Sequence, residues 1–255
     1  MTLPIGLQVY SLRDALSKDF DGTLTQVSKM GYDGVELFGE LPANIKSLVT
    51  SLGLRVSSKH GLYHDFLKDL QPHLDQISEL GASALVCAWS MATPDNSWET
   101  ITENLEKFAQ AAKKQNIAFA YHNHAHELTQ KVGNQAVLDY MAINAPTMVF
   151  EQDIAWLHAG GVNAAQYLET YANRTVLAHV KDVKAKSGDA NDPTGLSSWE
   201  TIELGKGDVN LGAALTAVSK TKSQWLLVEQ DNSDDPIRSA KNNLEWLRQH
   251  SKALS

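Results

Sequence analysis

Short apolar runs and helical stripes alternate along the whole chain. The runs are Ile5–Tyr10, Gly34–Phe38, Leu54–Ser58, Ser83–Ala88, Ile117–Tyr121, Thr147–Phe150, Thr175–Ala178 and Gln224–Val228. Each is the length of a strand and apolar almost throughout, as a parallel strand buried on both faces must be. Between them, apolar residues recur three and four apart. Leu24, Val27 and Met30 form one stripe, Leu67, Leu70, Leu74 and Ile77 another, and Ile101, Leu105, Phe108 and Ala112 a third. Ala164, Ala165, Leu168 and Tyr171, then Leu211, Ala214, Leu215 and Val218, continue the series, and Ile237, Ala240, Leu244 and Leu247 close it. Gly31, Gly53 and Gly81 follow three of the early stripes, where a helix takes a left-handed end residue.

Eight strands alternating with eight helices leave two architectures, a closed barrel or a doubly wound open sheet. No Gly-x-Gly-x-x-Gly follows the first strand, which removes the usual support for a dinucleotide fold. The expectation is a single (β/α)8 TIM barrel spanning residues 1–255, a length typical of that fold. Its longest loop is 183–208, containing Gly205-Lys206-Gly207-Asp208, and it lies on the face where such barrels keep their active sites. The glycine-rich stretch resembles a phosphate loop only superficially; a turn capping the next helix through Asp208 or Asn210 is the simpler reading.

Composition narrows the function. With 30 acidic against 22 basic residues the formal charge is −8, which disfavours nucleic acid or an anionic membrane as partner. Cys87 is the only cysteine, so neither an intrachain disulfide nor a thiolate zinc cluster is available. No stretch approaches the roughly 18 apolar residues of a membrane span, and the start lacks a secretory pattern, so a cytoplasmic protein is expected. A homo-oligomer is compatible with the chain.

The chemistry gathers where strands end. His122, Asp153, His179 and Glu229 terminate strands five to eight, which are neighbours in a barrel. Ala118, Ala120 and His122 share one strand face, leaving Phe119 and Tyr121 for the helix layer. Two imidazoles and two carboxylates form a nitrogen and oxygen set suited to one divalent ion, Mn, Co, Mg, Fe or Zn. Read singly, each is equally an ordinary polar rim residue; four on consecutive strands make the pattern. Glu36 and His60 end strands two and three, where they would bind sugar hydroxyls or form a rim salt bridge. Trp156 would wall the pocket or pack under its loop. Lys181 would hold an anionic group or oxyanion, or pair with Asp182 or Glu229. Gln8 lies at the pocket floor or in the core, and His124, with His126 and Glu127, crowds the loop after strand five as a candidate acid or base.

These stretches carry a resemblance. Gly6-Leu-Gln-Val-Tyr-Ser-Leu-Arg13, Gly31-Tyr-Asp-Gly-Val-Glu-Leu37, Tyr121-His-Asn-His124, Asp153-Ile-Ala-Trp-Leu-His-Ala-Gly160, His179-Val-Lys-Asp182, Leu204-Gly-Lys-Gly-Asp208 and Val228-Glu-Gln-Asp231 resemble the xylose isomerase-like barrels. That superfamily includes sugar phosphate isomerases/epimerases, ketose 3-epimerases, inosose dehydratases and AP endonuclease 2-type (endonuclease IV-type) proteins. The resemblance implies that Asp153, His179 and Glu229 hold three of four places around one divalent metal. The remaining place is a glutamate in the epimerases and is His122 here, which puts a symmetric two-carboxylate proton exchange in doubt. The Tyr-His-x-His pattern is closer to the dehydratase members.

The leading expectation is a metal-dependent sugar or sugar phosphate isomerase/epimerase acting through an enediolate. Glu229 would be the base, and His122 or His124 would return the proton. The alternative is a lyase or dehydratase on a 3-keto sugar, 3-keto-glycoside or keto-inositol, sharing the first step. A non-catalytic sugar-binding barrel or a repair nuclease is the third reading, the nuclease disfavoured by charge and by too few ligands for three zinc ions.

Overall fold

A computed structural model of the chain describes residues 3–251. Eight parallel strands close into a barrel: β1 (Ile5–Gln8), β2 (Gly34–Phe38), β3 (Arg55–Gly61), β4 (Ala84–Cys87), β5 (Ala118–His122), β6 (Val149–Asp153), β7 (Thr175–Val180) and β8 (Leu226–Val228). Each strand pairs with the next in sequence, and β8 closes on β1. Register shifts occur between β2 and β3 at Val35/Glu36, and between β6 and β7 at Phe150/Glu151. Such irregularities re-aim side chains, and both lie beside inward-facing glutamates.

The strands sort their side chains by parity. Phe119, Tyr121, Phe150 and Val228 face outward and join the large core formed with the helices. Ala84, Val86, Ala120, Leu177, Trp225 and Leu227 form a separate interior cluster. Trp225 fills this interior only because β1 and β2 carry glycines against it. A Cβ on Gly6 would stand 2.8 Å from Leu227 Cδ2, and one on Gly34 2.7 Å from Trp225 Cη2 and 2.3 Å from the Arg55 carbonyl oxygen. The apolar plug leaves the other end of the barrel to polar residues.

The helices form where the stripes predict, with local caps. Asp19 accepts the Gly22 N–H to start Phe20–Met30, which ends at Gly31 with φ 98°. Ser97 caps Trp98–Lys113, whose Ile101, Leu105 and Ala112 are buried. Two expectations are corrected. The first strand stops at Gln8, because the Gln8 side chain accepts the Tyr10 N–H and turns Val9–Leu12 into a 3₁₀ helix. Leu67 does not share a stripe with Leu74 and Ile77. Separate helices, Tyr63–Lys68 and Gln71–Leu80, replace one continuous helix, and Leu67 is 49 % exposed.

The 183–208 segment is not a bare loop. Asp182–Ala185 and Trp199–Ile202 pair antiparallel beside the mouth. The stretch from Gly205 folds back onto Asp182, whose carboxylate accepts the N–H groups of Val183, Gly205, Gly207 and Val209 at 2.9–3.2 Å. Asn210 then caps Leu211–Val218 by accepting from Ala213. The glycines thus leave room for an internal carboxylate: a Cβ on Gly207 would stand 2.1 Å from Asp182 Oδ1. No helix among the described residues is long and apolar enough to cross a membrane.

Candidate metal centre

Strand parity builds the site in steps. On β6, Glu151 and Asp153 face inward two residues apart, and on β7, His179 faces inward with Lys181 two residues beyond. His122 ends β5, Glu36 lies in β2, His60 in β3, and Glu229 follows β8. All are buried, with Glu36, Glu151, Asp153 and His179 wholly so.

His122 and His179 lie between two carboxylate groups. On one side His179 Nε2 is 2.6 Å from Glu36 Oε2 and 3.2 Å from Glu151 Oε2, and His122 Nδ1 is 3.1 Å from Glu151 Oε2. His60 Nε2 joins these two carboxylates, 2.6 Å from Glu151 and 3.1 Å from Glu36. On the other side His179 Nδ1 is 3.0 Å from Glu229 Oε2 and 3.9 Å from Asp153 Oδ2, and His122 Nε2 is 4.0 Å from Asp153 Oδ2. Two quartets therefore present ligand atoms within 4.8 Å of one another: His122, Asp153, His179 and Glu229, and a second set of His60, His122, Glu151 and His179.

The first quartet fits a divalent ion. Ligand atoms bound at about 2.0–2.2 Å stand roughly 3–4 Å apart around their ion, which matches the separations across Asp153. Asp153 Oδ2 is buried and makes no hydrogen bond, its nearest charged partner being Lys181 Nζ at 3.1 Å, while its Oδ1 accepts from the Trp156 N–H at 2.9 Å. A carboxylate oxygen has room for a second positive partner beside that ammonium, and a divalent cation suits it. The imidazole nitrogens and carboxylate oxygens are the donors such ions take.

Lys181 completes the mouth. Its Nζ lies 2.7 Å from Glu229 Oε2, 3.1 Å from Asp153 Oδ2 and 3.0 Å from Asp231 Oδ2, and 4.9 Å from the centre of the Trp156 ring. Burial alone would lower its pKa, but Asp153, Asp231 and Glu229 raise it well above the usual value, so it is an ammonium. Burial alone would likewise raise the Glu229 carboxyl; Lys181 and His179 hold it below the ordinary range. Burial, with His179, His124, His60 and Lys181 around it, holds His122 well below the imidazole range and therefore neutral. His60 resists its own burial and is raised to about 10 by Glu36 and Glu151.

The remaining expected residues fall into place differently. Glu36 and Gln8 spend their polar atoms inside the protein: Gln8 Nε2 donates to Glu36 Oε2 at 2.8 Å and Ser58 Oγ to Glu36 Oε1 at 2.6 Å. With His60 they form a floor beneath the imidazoles instead of a rim that meets sugar hydroxyls. His124 stands at the mouth, its ring 4.9 Å from His122 and 5.9 Å from Trp156; burial lowers its pKa to about 3, so it too is neutral. Trp156 is buried, with its indole N–H unpartnered. Glu127 and His126 are wholly buried. Glu127 accepts from Tyr121 Oη at 2.7 Å and from the His124 N–H at 2.8 Å, which fixes the loop that carries His124. Glu151 is the residue that reading strand ends overlooked. It is two residues before Asp153 on the same face, so the parity that links Ala120 to His122 also points to it.

Residues 24–250 match the model of the family described as xylose isomerase-like TIM barrel. Inosose dehydratase of Clostridium perfringens is 23% identical, over 89% of this chain and 86% of that protein. A sugar phosphate isomerase/epimerase from Parabacteroides distasonis superposes with a TM-score of 0.77 at 21% identity, covering 97% of this chain and 94% of the other. A xylose isomerase-like TIM barrel protein from Mycobacterium smegmatis, in complex with magnesium, superposes with a TM-score of 0.72 at 16% identity, covering 100% and 98%.

Proposed function

The chain belongs to the xylose isomerase-like TIM barrel family, and from that premise and the geometry of its mouth we propose that it is a divalent-metal-dependent carbon–oxygen lyase of the dehydratase type. Its substrate would be a keto-polyol, such as a 3-keto sugar, 3-keto-glycoside or keto-inositol. His122, Asp153, His179 and Glu229 would hold the ion. When bound, it supplies positive charge beside the substrate carbonyl and lowers the cost of removing a proton from the adjacent carbon.

One observation carries the choice of reaction. The carboxylates at the mouth, Asp153, Glu229 and Asp231, all come from β6 and β8, gathered around Lys181. The β5 side presents the neutral imidazoles of His122 and His124, and the carboxylate of its loop, Glu127, is turned inward. A single carboxylate suffices for elimination. Glu229 takes the proton from the carbon next to the carbonyl, and the C–H electron pair forms the enolate. That pair then expels the β-hydroxyl, which leaves as water with the proton Glu229 returns. Lys181 keeps the charge at Glu229 balanced and presents its ammonium near the substrate oxygens, and Trp156 excludes water. Relatives named inosose dehydratase support this reading.

Isomerisation or epimerisation is the second reading, favoured by His124. Its unpartnered Nδ1, in the loop after β5, would serve a proton from the β5 side of the mouth. Incubating the metal-loaded protein with keto-inositol and 3-keto sugars in heavy water separates the two. A product lighter by water supports the lyase; a recovered substrate isomer of unchanged composition carrying one solvent deuterium overturns it in favour of the epimerase.

A further inference from the structure

A neutral imidazole has one N–H and one lone pair, and only the lone pair binds a metal. Which nitrogen binds follows from which of them faces the Asp153 and Glu229 side of the site. His179 Nε2 meets Glu36 Oε2 at 2.6 Å, and His122 Nδ1 meets Glu151 Oε2 at 3.1 Å. His179 Nδ1 also meets a carboxylate, Glu229 Oε2 at 3.0 Å, so contact alone would leave hydrogen on both of its nitrogens; an ion held between Glu229 and Asp153 would take Nδ1 and leave the hydrogen on Nε2, facing Glu36. His122 Nε2 likewise faces Asp153, so the same ion would take that nitrogen and leave the hydrogen of His122 on Nδ1, facing Glu151. The two histidines would thus bind one ion through different nitrogens.

The carboxylates behind them are themselves fixed. Glu36 receives Ser58 Oγ on one oxygen and Gln8 Nε2 on the other, and Gln8 is held in turn by the Tyr10 N–H on its own side-chain oxygen. Glu151 Oε2 is 2.6 Å from His60 Nε2, and His60 also reaches Glu36, so one imidazole ties the pair together. These donors come from β1, the turn after it and β3. They make a rigid floor.

We propose that Glu36 and Glu151 are positioning residues. They hold the N–H of His179 on Nε2 and that of His122 on Nδ1, and so select the nitrogens that bind the divalent cation. The inference rests on the reading that His122, Asp153, His179 and Glu229 hold one ion. The second quartet does not take an ion of its own. Its 2.6 Å His60–Glu151 contact is shorter than the roughly 3 Å between two ligands of one ion. Two ions would also require both nitrogens of both shared imidazoles to give up their hydrogens. Carboxylates behind metal-bound imidazoles typically change affinity by about 10–100-fold when altered.

The test uses the full chain with ¹⁵N-labelled histidine, loaded with zinc, and long-range ¹H–¹⁵N correlation spectra. The parent chain is expected to bind one zinc, with His179 protonated at Nε2 and His122 at Nδ1. Glu36→Gln is expected to lower zinc affinity about 10–100-fold and scramble the His179 tautomer while leaving that of His122 in place. Glu151→Gln is expected to do the converse. Unchanged affinity and tautomers in both variants, opposite tautomers in the zinc-loaded parent, or two bound zinc ions each overturn the inference. The parent spectrum decides even where a variant does not fold. A parent chain that binds no zinc overturns the cation reading itself, so the two failures are distinguishable.

Discussion

Asp182 offers the sharpest test of how the mouth is built. Its carboxylate accepts four backbone N–H groups, from Val183 at 3.0 Å, Gly205 at 2.9 Å, Gly207 at 3.0 Å and Val209 at 3.2 Å. Hydrogen bonds to a charged group contribute about 1.5–3 kcal/mol each, roughly 6–12 kcal/mol before any offset. Two effects offset this. Removing a buried carboxylate recovers several kcal/mol of desolvation, and burial does push the Asp182 carboxyl upward despite its four donors. Gly205 is exposed and its N–H regains water. Asp182→Ala should therefore cost about 2–4 kcal/mol, in the range of a lost buried network. Gly207→Ala attacks the same contact from the other side, because its Cβ would stand 2.1 Å from Asp182 Oδ1 and 2.5 Å from the Val183 carbonyl oxygen. The double variant should lose clearly less than the sum of the two, since both remove one interaction. Equilibrium urea unfolding followed by tryptophan fluorescence measures all three. An Asp182→Ala loss below about 0.5 kcal/mol, or strict additivity, would refute the clamp.

Other outcomes follow from the same geometry. Lys181→Met removes the ammonium shared by Asp153, Glu229 and Asp231 and should destabilise the chelator-treated protein by about 3–5 kcal/mol. Without the ammonium the crowded carboxyls have folded pKa values above their unfolded ones, so stability falls as pH rises; urea midpoints should separate from the parent more at pH 8 than at pH 5, and an equal gap would count against the charge argument. Gly34→Ala should cost about 1–3 kcal/mol by overpacking against Trp225 and the Arg55 carbonyl, read from the same unfolding curves. Glu229→Gln should lower turnover on a keto-polyol by at least about 10²-fold with an unchanged far-ultraviolet dichroism spectrum; retained turnover would remove Glu229 as the base.

Much of this architecture is legible in the sequence because a barrel imposes two simple periods. The parity of β5 separates Ala120 and His122 from Phe119 and Tyr121, and the structure divides them the same way between the interior and the helix layer. The convergence of His122, Asp153, His179 and Glu229 follows from adjacent strands ending at one level. Reading strand ends alone has a cost: it passes over Glu151, one step lower on β6, and expects Glu36 and His60 at the rim when they lie beneath the imidazoles. Depth in a barrel depends on register, and the shifts at Val35/Glu36 and Phe150/Glu151 are not visible in a single strand. The Asp182 clamp is hidden for a different reason. Gly205 and Gly207 are 23 and 25 residues from the carboxylate they bind, and only the hairpin between them brings the ends together. Leu67 shows the limit of periodicity, since a helix break shifts the phase of every residue before it.

Equilibrating the purified chain with manganese or cobalt, desalting it and counting the metal tests the central claim most directly. One tightly held ion per chain, lost in Asp153→Ala while the barrel stays folded, is the result predicted by the buried Asp153 oxygen that faces His122 and His179 beside Lys181. A parent chain that retains no ion, or an Asp153→Ala variant that retains it undiminished, would contradict the account.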